Sequence, residues 1–271
     1  LLRHAHRAEC QGRLRPVPRQ DRHAQRRLHR VDHRPALYPR RAAQRQRGFA
    51  LRIVGPGGGR PRRVEILARP GLDAGVEIER AALLTRDEKR FEKLLNNSKY
   101  PVQIIWAGKP YPVDHPAISE FNELVHIGRQ HKNMAVMIGY ELALSKRLKQ
   151  AADCWLNNPR VPREASGTSG MTASMNGAVN LSTDDGWIPE FINHGNNGFV
   201  VPKADYENMH VQEQDDYDLE KIYEILENQV LPLYYENYGV WREIVKNGMR
   251  DVRYQFESNR MAHEYYDLLY K

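Results

Sequence analysis

The chain holds only two cysteines, Cys10 and Cys154, too few and too far apart for a disulfide framework or a thiolate metal site. It has no apolar run near the roughly 18 residues that a membrane-spanning helix requires. Its start is rich in Arg and His and lacks the apolar stretch of a signal peptide. These absences predict a soluble cytoplasmic protein with no membrane partner. Lysine is missing from residues 1–80, which carry twenty Arg and seven acids, a net of +13. The remainder carries ten Arg, eleven Lys and twenty-seven acids, a net of −6. The overall charge of +7 and pI near 9.3 therefore come from the first third alone. A nucleic-acid-binding arm usually mixes Lys with Arg, so nucleic acid is not expected as a partner.

Residues 1–79 show few apolar side chains and no sustained period of 2 or 3.6. Low hydrophobicity with high charge cannot offset the entropy of ordering, so this segment is left unassigned. It reads as a disordered basic tail or, given Arg, His, Ala, Pro and Gln without Lys, as an out-of-frame translation of a GC-rich gene. The first residue is Leu rather than Met, which suggests a fragment. The run Gly55-Pro-Gly-Gly-Gly59 lacks the lysine and the strand-to-helix setting of a phosphate loop.

From about residue 80 the sequence becomes orderly. Thr85-Arg-Asp-Glu88 fits a capping box opening a helix with Phe91, Leu94 and Leu95 on one side. Apolar runs at 101–108, 134–139 and 153–157 read as buried parallel strands, with further strands at 178–181 and 198–202. Helical periods lie between them at 115–129 and 140–152. This alternation predicts an α/β fold, a doubly wound parallel (Rossmann-like) sheet with ligands beyond the strands' carboxyl ends. After Asp216 the period is helical throughout, one stripe being interrupted by Pro232 and a last helix being capped by Ser258.

The most informative stretch is Glu-Ala-Ser-Gly-Thr-Ser-Gly-Met-Thr-Ala-Ser-Met-Asn-Gly at 164–177. Small residues and hydroxyls lead into a short helix read over 171–178. Such a loop offers backbone N–H groups and a helix dipole to a phosphate or sugar oxygen. Lys109, just after the 101–108 strand, is placed to reach an anion at the sheet rim, or is a solvated loop lysine. His194, in a tight turn, either touches substrate or stabilises the turn. The other histidines show no metal-ligand spacing. Asp184-Asp185 before Gly186 reads as a turn, and no metal is expected.

The segment 163–178 resembles the signature of the α-glucan (glycogen, starch, maltodextrin) phosphorylases, most of all their bacterial branch. The resemblance runs through 102–110, Gly139-Tyr140-Glu141, 153–159, Asp185-Gly186-Trp187 and 193–202, and covers roughly 80–271. It implies that 80–271 is the C-terminal catalytic half of a two-domain glycosyltransferase fold, with C-terminal helices. A hexosyltransferase activity follows, in which α-glucan and phosphate yield glucose 1-phosphate with pyridoxal phosphate as cofactor. By the same resemblance Glu164, the catalytic candidate with Lys109, would bind a hydroxyl of the terminal glucose. Ser166, Gly167 and His194 would serve that sugar. Thr168, Ser169 and Gly170 would hold the cofactor phosphate.

Two positions depart from the family. Thr172 stands where the cofactor lysine belongs, and a hydroxyl cannot form the imine. In Val76-Glu-Ile-Glu-Arg80 only Arg80 matches the family's substrate-phosphate residues, while Glu77 and Glu79 would repel phosphate. Because the active cleft of this fold lies between two domains and only one is readable, the fragment is expected to be inactive alone. The alternatives are a nucleotide-sugar-dependent retaining glucosyltransferase of the glycogen-synthase kind, without pyridoxal phosphate, and a non-catalytic glucan-binding remnant. The partners expected are α-glucan with phosphate or a sugar phosphate, and a homodimer is left open.

Overall fold

The computed structural model describes residues 64–68, 80–110, 112–138 and 141–270, all within the compact unit Leu51–Lys271. The glycine run at 55–59, Cys10, residues 76–79 and Gly139-Tyr140 lie outside the described residues.

Six strands form one sheet: β1 (Val64–Ala68), β2 (Val102–Gly108), β3 (Met134–Ile138), β4 (Cys154–Asn157), β5 (Val179–Ser182) and β6 (Phe199–Val200). Their order is β3-β2-β1-β4-β5-β6 and each neighbouring pair is parallel. Strand order reverses between β1 and β4, and a crevice opens beyond the carboxyl ends at such a point. The sheet is therefore the doubly wound one that the alternation predicts. Its central strand, however, falls inside the unassigned segment. Ile66 pairs with Ile104 on one side and Cys154 on the other. The folded region thus starts before residue 80. Five residues flanked by Arg62, Arg63 and Arg69 disappear in any window averaged over so much arginine.

Successive side chains of a strand point to opposite faces, and the buried residues divide that way. Ile104 and Trp106 of β2, with Cys154 and Leu156 of β4, join the larger core. Ile105, Ala107 and Trp155 join a second core on the other face. The larger core is built with α1 (Glu88–Leu95), α2 (His115–Gly128) and the C-terminal helices; the second packs α3 (Leu142–Ala151) and α4 (Thr168–Met175). Both faces are covered, as an all-parallel sheet requires.

Local signals explain several boundaries. Asp87 rather than Thr85 caps α1, its carboxylate accepting from the Arg90 N–H at 3.0 Å; Thr85 donates its hydroxyl to the Ala82 carbonyl in a preceding 3-10 turn. Asp114 caps α2 through the Ala117 N–H, with Pro116 in the first turn. Beyond the short α5 (Ile188–Phe191), α6 (Val211–Ile225) continues through a π turn, Leu226–Val230, into α7 (Leu231–Glu236). Pro232 does not end the helix. The wide turn just before it relieves the clash between the proline ring and the preceding carbonyls. Two helices follow, α8 (Tyr238–Phe256) and α9 (Ser258–Leu269); Ser258 is the first residue of α9, and the cap position is Glu257, without a side-chain bond. Among the described residues no helix is long and apolar enough to cross a membrane.

Candidate functional site

The site is the rim loop 158–167 that joins β4 to α4 at the sheet's carboxyl edge. Its floor is fixed by buried charge. Arg80 donates Nη1 to Asp215 (2.8 Å), Nη2 to Asp218 (2.7 Å), Nε to the Asn158 carbonyl (3.1 Å) and Nη2 to the Pro159 carbonyl (3.1 Å). Arg160 places Nη2 3.0 Å from both Asp215 oxygens, and Arg86 adds Nη1 at 2.7 Å. Thr183 donates to the Pro159 carbonyl and Gln214 to that of Val161. Burial alone would raise the Asp215 carboxyl; Arg80 and Arg160 outweigh it and hold the group below its ordinary range. Burial prevails at Asp218, whose carboxyl is raised although Arg80 and the Tyr206 hydroxyl (2.8 Å) stabilise its charge.

Arg80, the residue that matched the family's substrate-phosphate arginine, spends four N–H groups on two carboxylates and two carbonyls. A buried guanidinium needs such partners, and here they come from the protein itself. Arg80 is a clamp between the rim loop and α6.

Above the floor the loop is held by the segment 185–187. Asp185 accepts the Glu164 N–H on one oxygen and the Gly186 N–H on the other, both at 2.8 Å. Trp187 N–H donates to the Ser166 carbonyl at 2.8 Å. Two glycines leave room for Glu164. Gly186 has φ +58°, and a Cβ there would lie 2.7 Å from Glu164 Cγ and 2.6 Å from the Ser166 oxygen. Gly167 has φ +94°, and a Cβ there would meet Trp187 Cδ1 at 2.8 Å and Glu164 Oε1 at 3.5 Å. Glu164 is thus half-buried at the rim, between two glycines and an indole edge.

The helix α4 starts at Thr168, three residues earlier than the 171–178 reading. It lies close to the sheet because Gly170 has no side chain: a Cβ would fall 2.8 Å from both the Asn157 Nδ2 and Asn180 Oδ1 atoms. Asn180 donates to the Gly170 carbonyl (3.1 Å) and to Ser174 Oγ (2.9 Å), which seats the helix. Trp187 Nε1 is buried without a partner. At the mouth of α4 the N–H groups of Thr168 and Ser169 have no acceptor within the helix. The Gly170 N–H, by contrast, donates to the Gly167 carbonyl at 3.1 Å. Thr168 and Ser166 are exposed while Ser169 is buried, so the mouth opens to solvent on the Thr168 side.

Thr172 lies on α4 with its hydroxyl 3.0 Å from the Thr168 and Ser169 carbonyls, the usual back-bonding of a helical threonine. The residues present do not fit covalently held pyridoxal phosphate: the lysine position carries a hydroxyl that is already engaged by its own helix. Lys109 is exposed and follows β2 at the same carboxyl edge, with β1 between its strand and that of Glu164. His194 has Nδ1 3.1 Å from the Val200 carbonyl and Nε2 2.8 Å from Gln229 Oε1. Both nitrogens are engaged within the protein, one beside its own turn at Val200 and one at Gln229 of the π turn. Asp184 pairs with Lys203 at 3.2 Å, and no group of three or more His, Cys, Asp or Glu among the described residues is placed to hold a metal. Sequence reasoning missed Asn180, Asp215 and Asp218 altogether. For the two acids a signal existed: positions 215, 218 and 222 share one helical face with the buried Leu219, and charge within an apolar stripe demands a partner.

No protein-family model matches the chain. The maltodextrin phosphorylase of Thermococcus litoralis is 37% identical over 195 residues, 71% of this chain and 23% of that protein. The glycogen phosphorylase of Aquifex aeolicus is 37% identical over 200 residues, 71% of this chain and 28% of its own. Most of this chain is a relative of the α-glucan phosphorylases. The matched part spans about a quarter of the length of these curated relatives. In structure it resembles the catalytic domain of starch synthase IV from Arabidopsis thaliana bound to ADP and acarbose, with TM-score 0.55 and 19% identity over 78% of this chain and 39% of that one. At that identity the likeness bears on the fold alone, a doubly wound parallel α/β sheet.

Proposed function

We propose that this chain is an α-1,4-glucan phosphorylase homologue. Its rim loop holds the terminal glucose of a glucan through Glu164 and the backbone of Ser166 and Gly167. The N–H groups of Thr168 and Ser169 hold an anionic phosphoryl group beside that sugar. The observation that carries this reading is the joint placement of a half-buried Glu164 and an open helix N-terminus on one braced loop. Oriented amide donors at a helix start stabilise an oxyanion without reorganising. The homologous phosphorylases, and the relation of 164–178 to their signature, supply the substrate class.

On this reading the chain makes no glucose 1-phosphate by itself. Thr172 cannot form an imine, and Arg80 is committed to Asp215 and Asp218. The test is to supply the purified chain with maltoheptaose, phosphate and pyridoxal phosphate. Expected are maltoheptaose binding that weakens in Glu164→Gln, no glucose 1-phosphate, and no borohydride-trapped cofactor on the peptide carrying residue 172. Formation of glucose 1-phosphate would overturn the inactivity, and unchanged binding in Glu164→Gln would overturn the assigned site.

One observation favours a second reading. A sugar nucleotide needs a phosphate cradle but no lysine, and the structurally similar starch synthase domain was solved with ADP. Glucosyl transfer from ADP-glucose or UDP-glucose to maltoheptaose would establish that reading in place of phosphorolysis.

A further inference from the structure

A cavity of about 500 Å³ lies away from the rim loop, between α5, the 193–198 turn and the end of α8. Its lining combines two aromatic rings with fixed polar groups. Phe191 forms the inner wall, stacked on Trp187 with centroids 4.5 Å apart and 25° between planes. Tyr254 stands at the opening, 79% exposed. Asn197 is buried and locked: its amide donates to the Phe191 carbonyl (3.0 Å) and to Asp251 Oδ2 (3.2 Å), and its oxygen accepts the Asn193 N–H (2.8 Å). Asp251 is held from the other side by Arg250 Nε at 2.9 Å. Each carboxylate oxygen therefore has one protein donor and a lone pair left over. Glu190 and Gln255 complete the wall, and both are exposed.

This lining suits a neutral polyol ring. An exposed tyrosine face packs on the C–H face of a pyranose, while the spare Asp251 lone pairs accept from sugar hydroxyls and the remaining Arg250 N–H groups donate to them. Glu190 and Asp251 against a single Arg250 give no surplus positive charge, which disfavours phosphates and nucleotides. The volume falls within the ordinary range for small-ligand sites. We propose that the cavity is an accessory α-glucan site, where a stretch of the polymer is held without being cleaved. The choice of α-glucan as the polyol rests on the function proposed above. The Phe191–Trp187 stack links the cavity to Gly167 and Glu164, so the two sites share one aromatic wall.

Equilibrium dialysis of the full chain against labelled maltoheptaose tests this, with cellohexaose as the β-linked control. The expected result is two maltoheptaose molecules bound per chain, falling to one in Tyr254→Ala and to one in Glu164→Gln. Because Tyr254 is exposed, its removal should leave the thermal midpoint unchanged, so loss of a site is not loss of the fold. Asp251→Asn is the second variant and should weaken the same site about tenfold. Two sites that both persist in Tyr254→Ala, or a single site removed only by Glu164→Gln, overturn the accessory site and leave the function reading intact. A single site removed only by Tyr254→Ala keeps the accessory site and overturns the assignment of Glu164. No binding at all, or equal binding of cellohexaose, overturns the proposal.

Discussion

Two places in this molecule are suited to an anion, and they have opposite fates. Arg80 is buried and neutralised by Asp215 and Asp218, with Arg160 and Arg86 sharing the same carboxylate. The mouth of α4 is open, with the N–H groups of Thr168 and Ser169 unused by the helix. A guanidinium that supports the floor cannot also bind substrate; backbone amides without an acceptor in their own helix can. Charge therefore builds the loop here, and neutral dipoles face the proposed ligand.

The largest way to break this contrast is at the floor. Asp215→Ala would leave two buried guanidiniums without their shared partner, and the loss should be about 3–5 kcal/mol, read from urea unfolding. The same variant should weaken maltoheptaose binding, since Asn158, Pro159 and Arg160 hang from that cluster. Next comes Gly186→Ala, which puts a methyl group against Glu164 Cγ and the Ser166 carbonyl in a left-handed backbone conformation. It should cost about 1–3 kcal/mol and reduce glucan binding more than stability, which comparison of titration with unfolding would show.

Acid supplies a third, smaller lever. The folded Asp215 carboxyl is held below its ordinary value of 3.8, so its stabilisation is complete above that pH and is lost as pH falls through the lower folded value. Unfolding measured from pH 5 down to 2 should steepen in the wild type, and Asp215→Asn should lack that part of the slope. The smallest effect is expected from Thr172→Val, which removes a hydroxyl bonded only to its own helix. Stability should change by no more than about 0.5 kcal/mol, and glucan binding should not change, because Thr172 takes no part in the proposed contacts.

How much of this was legible beforehand differs from element to element. The strands at 102–108 and 154–157 were readable because buried parallel strands are short apolar runs ended by Gly or Asn. β1 was not, since five suitable residues sit among arginines and only the sheet reveals that a centre was needed. The candidate loop was readable from its glycines and hydroxyls. Their reasons were only half readable: Gly167 and Gly186 make room for Glu164, whereas Gly170 lets α4 lie on Asn157 and Asn180. Which N–H groups remain open at a helix start depends on the turn actually formed, and the Gly170-to-Gly167 bond carries no sequence mark. Arg80 could be matched to a family position, but its acids lie 135 and 138 residues away on α6, beyond any local pattern.

The most direct test of the central claim is a titration of the isotope-labelled chain with pyrophosphate, followed by backbone amide resonances. The amides of Thr168 and Ser169 should shift together and saturate, with Gly170 moving less because its proton is already bonded to Gly167. Saturable shifts confined to other helix starts, or to arginine side chains, with Thr168 and Ser169 unmoved, would contradict it.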